Sequence, residues 1–268
     1  ETRAFFSHCC GGFCAGKPLL SYTAVPRCLS LHKWRLYLFR LAVVVDHIRI
    51  MAKGTDLTFP YHIVDHVVKT AKRGDVSSVI DVIDQYCYSV EKAMNVGDVK
   101  GAILDKCFLE ASPQNVLELG CYCGYSSLRM SRLLKEDAKI FTIEANPDYA
   151  KFAQQIITFA GMEKRIQILQ GLSDEVLPTI AEKCGVQTFD FVFIDHAKEL
   201  YKRDLIMLEN LGLIRHGTTI VADNVIYPGC PDYLKYVRNN PKYKSANYLS
   251  KLEYTDREDA IEKSIYLP

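Results

Sequence analysis

Neither sign of charge predominates in this chain of 268 residues: 33 lysines and arginines meet 32 aspartates and glutamates, a formal net charge of +1. The lack of a basic excess argues against nucleic acid or an anionic membrane as the main partner. No apolar run is long enough to span a bilayer. The stretch from Leu36 to Val45 covers ten residues and is interrupted by Arg40, whereas a spanning helix needs about 20. It also lies too far from the start of the chain for an ordinary signal peptide. The ten cysteines fall short of the roughly 8–10 % that marks a disulfide scaffold. Cys87, Cys107, Cys121, Cys123, Cys184 and Cys230 are scattered through periodic segments, which suggests free thiols in a reducing compartment. Cys9, Cys10, Cys14 and Cys28 match no usual zinc spacing. Internal repeats and low-complexity tracts are absent, and nothing implies a stable protein partner.

What is present is the texture of a folded globule, 49 % hydrophobic and 24 % charged. Residues 1–57 read as an irregular N-terminal extension. A peripheral amphipathic anchor with Lys33, Arg35 and Arg40 on its basic side is the alternative, and Met51 is an alternative start. The expected location is accordingly the cytoplasm, with membrane association through this extension as the other reading. Residues 58–268 alternate helical and strand patterns. Strands are expected at Asn115 to Leu119, Lys139 to Ile143, Arg165 to Leu169, Phe189 to Ile194 and Thr218 to Ala222. Helical spacing follows Asp75 and fills Asp98 to Ala111, Ser126 to Leu134, Pro147 to Gly161, Asp174 to Lys183 and Tyr201 to Leu211. Two weaker strand patterns between Tyr243 and Tyr266 flank Thr255 to Asp259 and read as a hairpin. The expected fold is therefore α/β: a Rossmann-like, doubly wound, mostly parallel sheet with a C-terminal antiparallel hairpin.

Ligands in such sheets bind beyond the carboxyl ends of the strands. Those ends carry Glu118 and Gly120, then Glu144, Ser173, Asp195, and Asp223 with Asn224. The loop from Glu118 to Ser126 lacks the Gly-x-Gly-x-x-Gly fingerprint suited to a pyrophosphate. It has an acid before its first glycine instead. Gly120 would let the backbone approach a ligand closely, and Gly124 would permit tight packing into the next helix. Glu144, at the next strand end, can accept hydrogen bonds from both hydroxyls of a ribose. An acidic loop suits a cationic cofactor without phosphate, such as S-adenosylmethionine. A nicotinamide site with a degenerate loop is the competing interpretation.

Asp195, Asp223 and Asn224 are oxygen donors at two adjacent strand ends. Mg²⁺ takes such ligands and keeps positions for water and substrate oxygens, so two neighbouring hydroxyls on a ring could chelate it. Lys198, three residues after Asp195, is placed to act as general base if it is poorly hydrated beside the metal. The bland alternatives are a solvated lysine at a helix start and a simple turn at Asp223-Asn224.

Taken together, these segments resemble the catechol O-methyltransferase family, a group of cation-dependent enzymes that use S-adenosylmethionine. The resemblance is carried by Glu91 to Asp98, Leu117 to Gly120, Cys123 to Ser126, Asp195 to Lys198, Asp223 to Ile226 and Leu252 to Tyr254, in the family's order and spacing. It implies Mg²⁺ at Asp195, Asp223 and Asn224, Lys198 as base, and Glu253 holding the unmethylated hydroxyl of a small catechol. It further implies Ser126 and Glu118 at the methionine end of the cofactor, Met94, Val96 and Tyr122 along it, and Ser173 and His196 at the adenine. Asp174 follows the adenine serine where the family usually has glutamine. The acceptor site would be formed by Lys92, Asn95, Lys198, Asn224, Pro228, Leu252 and Glu253.

Two further departures bear on the acceptor. Lys92 and Ala197 stand where the family usually has tryptophans, so two aromatic walls are missing while the chemical residues are intact. A broader cation-dependent phenolic O-methyltransferase would tolerate that opening. A non-catalytic methyltransferase-like binding or trafficking protein is the rival from another class, although such a scaffold needs no base beside a metal.

Overall fold

The computed structural model describes residues 59–268; the expectations for residues 1–57 lie outside the described residues. Seven strands form a single sheet in the order β3-β2-β1-β4-β5-β7-β6. They are β1 (Asn115–Leu119), β2 (Lys139–Glu144), β3 (Ile166–Gln170), β4 (Phe189–Ile194), β5 (Ile214–Ala222), β6 (Tyr243–Lys251) and β7 (Glu258–Tyr266). The first five run parallel, and β7 inserts antiparallel between β5 and β6. The doubly wound sheet and its C-terminal hairpin are thus as expected from sequence.

Helices cover both faces: α1 (Phe59–Thr70), α2 (Val76–Ser89), α3 (Gly97–Ala111), α4 (Tyr125–Ser131), α5 (Pro147–Phe159), α6 (Ser173–Cys184), α7 (Tyr201–Asn210) and α8 (Pro231–Asn239). Strand alternation divides the core in two. Val116 and Phe191 pack towards α1 to α5, while Leu117, Leu119 and Val192 pack towards α6 to α8. Both layers are closed, which is why the parallel strands read as unbroken apolar runs. The caps are local chemistry. Asp75 accepts from Ser78 N ahead of α2, Asn146 accepts from Asp148 N and Tyr149 N ahead of α5, and Ser112 ends α3 in the left-handed region.

Two helices were not expected. α1 buries Ile63, Val64 and Val67, and α8 buries Tyr233 and Val237 behind Pro231 at its first position. β5 begins four residues before the expected Thr218, passing through Gly217 at φ +84°. The hairpin turn is shorter than expected, because Glu258 and Asp259 belong to β7. Among the described residues no helix is long and apolar enough to cross a membrane.

β1 connects to β2 on one side and lies beside β4 on the other. The chain reverses its winding direction there, the point at which sheets of this kind place their ligand crevice.

Candidate active site

The crevice is built around a close backbone approach. Gly120 leaves β1 at φ +97°, and a Cβ on it would lie 2.2 Å from the carbonyl oxygen of Asp195. Nothing but glycine fits, and the contact sets the β1 loop directly against the end of β4. Gly124, at φ +82°, caps α4 and would meet Ile157 and Ala153 in ordinary contact. Between them Tyr122 sits at φ +49°, with its ring edge-on to Tyr149 at 5.1 Å.

Carboxylates brace this loop from below. Glu144 accepts from the backbone N–H groups of Tyr122 (2.8 Å), Cys121 (3.1 Å) and Asn146 (2.8 Å). Burial nevertheless holds its carboxyl above the usual range, because those donors only partly offset the lost hydration. Glu118 is fully buried; it accepts from Ser126 Oγ at 2.6 Å and from Ser127 Oγ. Burial outweighs both serines and pushes its carboxyl up to about 7. Glu118 therefore lies beneath the loop, with Ser126 above it.

On the far side of β4, His196 Nε2 lies 2.7 Å from Asp204, which also receives Arg203 Nε at 2.7 Å. Burial alone would raise the Asp204 carboxyl, but the hydrogen bonds from His196 and Arg203 outweigh it and hold it below its usual range. An ionised carboxylate only accepts, so the Nε2 proton faces Asp204. Nδ1 is then buried with no hydrogen-bond partner among the described residues. Arg203 also donates to Ser173 Oγ at 2.8 Å and lies 3.8 Å from Asp174. Of the residues expected at the adenine, Ser173 and Asp174 thus meet Arg203 directly, and His196 is linked to it through Asp204. An unpartnered buried nitrogen beside them suits a ligand with polar edges.

The acidic centre spans the ends of β4 and β5. Lys198 Nζ donates to Asp195 Oδ1 at 2.8 Å and to the hydroxyl of Tyr201, which donates to the Asp223 carbonyl at 3.1 Å. Asp223 and Asn224 are buried, with Asn224 at φ +53°. Burial and the neighbouring Asp195 push the Asp223 carboxyl up to about 7 against the pull of Lys100. Lys100 Nζ lies 2.9 Å from each of the two Asp223 carboxylate oxygens. Among the described residues no three His, Cys, Asp or Glu side chains form a ready cage. The expected set is two carboxylates and one amide, which fits a hard divalent cation that keeps water or substrate oxygens.

Three side chains in this centre escaped the sequence reading. Lys100, 1 % exposed, reaches Asp223, Glu253 (2.9 Å) and Asp259 (2.8 Å). Burial works to lower its pKa, and the three carboxylates together outweigh that, holding the ammonium above the usual lysine range. Val96, Lys100, Leu104 and Phe108 form a buried i, i+4 stripe, so a lone lysine on an apolar helix face was the available signal. Asp259 had none, because it reads as part of a polar turn. Asp84 was the third: it accepts from Tyr125 Oη at 2.9 Å and Tyr254 Oη at 2.8 Å, anchoring the residue after Glu253.

The remaining candidates divide by exposure. Val96 is buried, and Asn95 is buried with its Oδ1 accepting from Gly97 N (2.9 Å) and lying 2.8 Å from Tyr254 Oη. Lys92, Met94 and Pro228 are exposed and Leu252 is half-buried.

A site of this kind, at the switch point of a Rossmann-like sheet, is one that binds a small cofactor and acceptor. The family described as O-methyltransferase matches residues 78–259. The chain belongs to that family and is an S-adenosylmethionine-dependent O-methyltransferase. Among its relatives, catechol O-methyltransferase B of Danio rerio is 49 % identical over 225 residues, covering 84 % of each chain. Catechol O-methyltransferase of Mus musculus is 48 % identical over 204 residues, 76 % of this chain and 77 % of the mouse protein. In fold it is similar to the Bacillus cereus O-methyltransferase solved in complex with SAH, at TM-score 0.57 and 21 % identity over 70 % of this chain and 99 % of that one.

Proposed function

We propose that the chain methylates one hydroxyl of a catechol-type small molecule in a reaction that requires Mg²⁺. The observation that carries this reading is the acidic centre: Asp195 and Asp223 at adjacent strand ends with Asn224 beside them, two carboxylates and an amide of the kind a hard divalent cation takes. Similarity to relatives named catechol O-methyltransferase supports the same reading.

In this proposal Asp195, Asp223 and Asn224 hold the cation, while Glu118, Ser126, Glu144, Ser173 and His196 frame the cofactor cleft. When bound, S-adenosylmethionine would supply an electrophilic methyl group, and Mg²⁺ the charge that favours the ionised acceptor. Lys198, held against Asp195 at 2.8 Å, takes the proton from the hydroxyl to be methylated. Glu253, fixed by Lys100 at 2.9 Å, accepts a hydrogen bond from the neighbouring hydroxyl and so orients the ring. Holding acceptor oxygen and methyl carbon in line supplies much of the rate. Residues 58–268 would carry this activity alone, in the cytoplasm, with any membrane contact confined to residues 1–57.

Methyl transfer to a catechol and to the matching monophenol, with chelator and then with added Mg²⁺, tests the reading. Chelation is expected to abolish turnover, Mg²⁺ to restore it, and the monophenol to be a poor acceptor. Asp195→Ala should remove activity while the protein stays folded. Undiminished turnover in chelator refutes the metal requirement, and equal use of the monophenol refutes the catechol assignment.

A further inference from the structure

Asp259 is the second residue of β7 and has no exposed surface. Its Oδ1 accepts from the backbone N–H groups of Ile226 (3.2 Å) and Tyr227 (3.0 Å). Its Oδ2 accepts from Lys100 Nζ at 2.8 Å and from Asn224 Nδ2 at 2.9 Å. Asn224 Nδ2 also lies 3.4 Å from Glu253 Oε2. A carboxamide has a donor end and an acceptor end of nearly the same shape, and a hard cation binds the oxygen. An amide whose nitrogen faces two carboxylates must turn its oxygen the other way. Asp259 thus removes a choice that Asn224 would otherwise have.

We propose that Asp259 is the positioning residue that makes Asn224 a metal ligand through its oxygen, with Lys100 as the buried cation that lets Asp259 do so. The inference rests on the Mg²⁺ site proposed above. Lys100 matters because Asp223, Glu253 and Asp259 all converge on its ammonium; without it three buried carboxylates would repel one another. An aspartate at position 224 would have no wrong way round, since either oxygen can ligate. That difference separates a polarity-setting role from a merely structural one.

The experiment is a double-mutant cycle on the full chain, with Asp259→Asn measured alone and in an Asn224→Asp background. Bound Mn²⁺ is counted by electron paramagnetic resonance and Mg²⁺ is titrated by competition. Melting temperature and S-adenosylhomocysteine affinity serve as controls of the fold. Asp259→Asn is expected to weaken metal binding by at least ~10-fold in the parent and by less than ~2-fold in the Asn224→Asp background, a coupling of the size seen between contacting groups. S-adenosylhomocysteine affinity should stay within about 2-fold of the parent value in all four proteins, since contacts beyond the acidic centre are left unchanged. Asp259→Ser, which leaves room for a water as acceptor, is run in parallel and carries the comparison if Asp259→Asn does not fold. Equal losses in the two backgrounds overturn the inference, because a residue that only holds the 226–227 backbone would act the same in both. If the parent itself binds neither metal, the metal site falls, and the inference with it.

Discussion

Replacing Glu118 by glutamine tests whether the cofactor loop rests on a buried carboxyl held partly neutral. Glu118 is fully buried and meets hydroxyl donors from Ser126 and Ser127 but no cation in hydrogen-bond reach. Its carboxyl stands at about 7, against an ordinary value of 4.5. A group whose folded pKa is raised contributes stability that is fully present below the unfolded pKa and lost as pH rises through the folded one. The window here runs from about 4.5 to about 7. Across it the native state loses roughly 3 kcal/mol, at 1.36 kcal/mol for each pH unit of difference. Most of that, about 2–3 kcal/mol, falls between about pH 5 and pH 8. Glu118→Gln cannot ionise, so the variant should gain on the parent over this interval by roughly 5–10 °C in melting temperature for a domain of this size. Any fixed cost of the amide, such as reorienting Ser127, cancels when the two pH values are compared. Thermal unfolding followed by circular dichroism at both pH values is the assay. A melting difference between variant and parent that is the same at both would refute the reasoning and mean that Glu118 is ionised throughout.

Two further outcomes follow from the geometry. Lys198→Ala should lower kcat by at least ~10²-fold, the lower range for general acid–base catalysis, with S-adenosylhomocysteine affinity unchanged by calorimetry; unchanged turnover would return Lys198 to the role of a solvated helix-start lysine. Gly120→Ala should cost about 3 kcal/mol or more, through positive-φ strain and a Cβ driven into the Asp195 carbonyl, and should weaken cofactor binding in whatever protein folds; near-parental melting and binding would show that the β1 and β4 loops can part freely.

The fold was legible where the signals are local. Parallel strands buried on both faces appear as short apolar runs, and Asn146 with Pro147 announces α5 through its cap. The strand ends then named the site, since a doubly wound sheet puts β-to-α loops on one edge. Gly120 and Gly124 were readable for the same reason: each adopts a backbone conformation tied to its own turn. α8 was missed because its nine residues expose most of their surface and bury chiefly Tyr233 and Val237. The start of β5 was missed because Arg215, His216 and Gly217 are exposed, with Gly217 breaking the alternation.

The charged centre was only half legible, and the reason is its non-local assembly. Asp195, Lys198, Asp223 and Asn224 sit on neighbouring strand ends, so the sheet rule brings them together. Lys100 arrives from α3 and Asp259 from β7, elements separated by 159 positions along the chain. The helical stripe betrays that Lys100 is buried but not which carboxylates receive it. Asp259 depends on the hairpin register, which pairs it with Ser250 on β6; in an alternating antiparallel strand a one-residue slip would turn it outward.

Burial also divides the residues to which the proposed function gives the chemistry from those to which it gives acceptor choice. Lys100, Asp223, Asn224 and Asp259 are all buried and tied to one another, so a change at one is transmitted to the rest. Lys92, Met94 and Pro228 are exposed, as is Ala197, and none of the bonds of the acidic centre reaches them. Arg257 lies 3.3 Å over the ring of Tyr227, beside Pro228. Lys92 offers a flexible positive head rather than a flat apolar wall. Exposed charges of this kind are worth only ~0.2–1 kcal/mol each. If the proposed function holds, substitution at Lys92 is therefore expected to change which acceptor is favoured by small factors, whereas substitution in the buried centre is expected to decide whether the centre holds together at all.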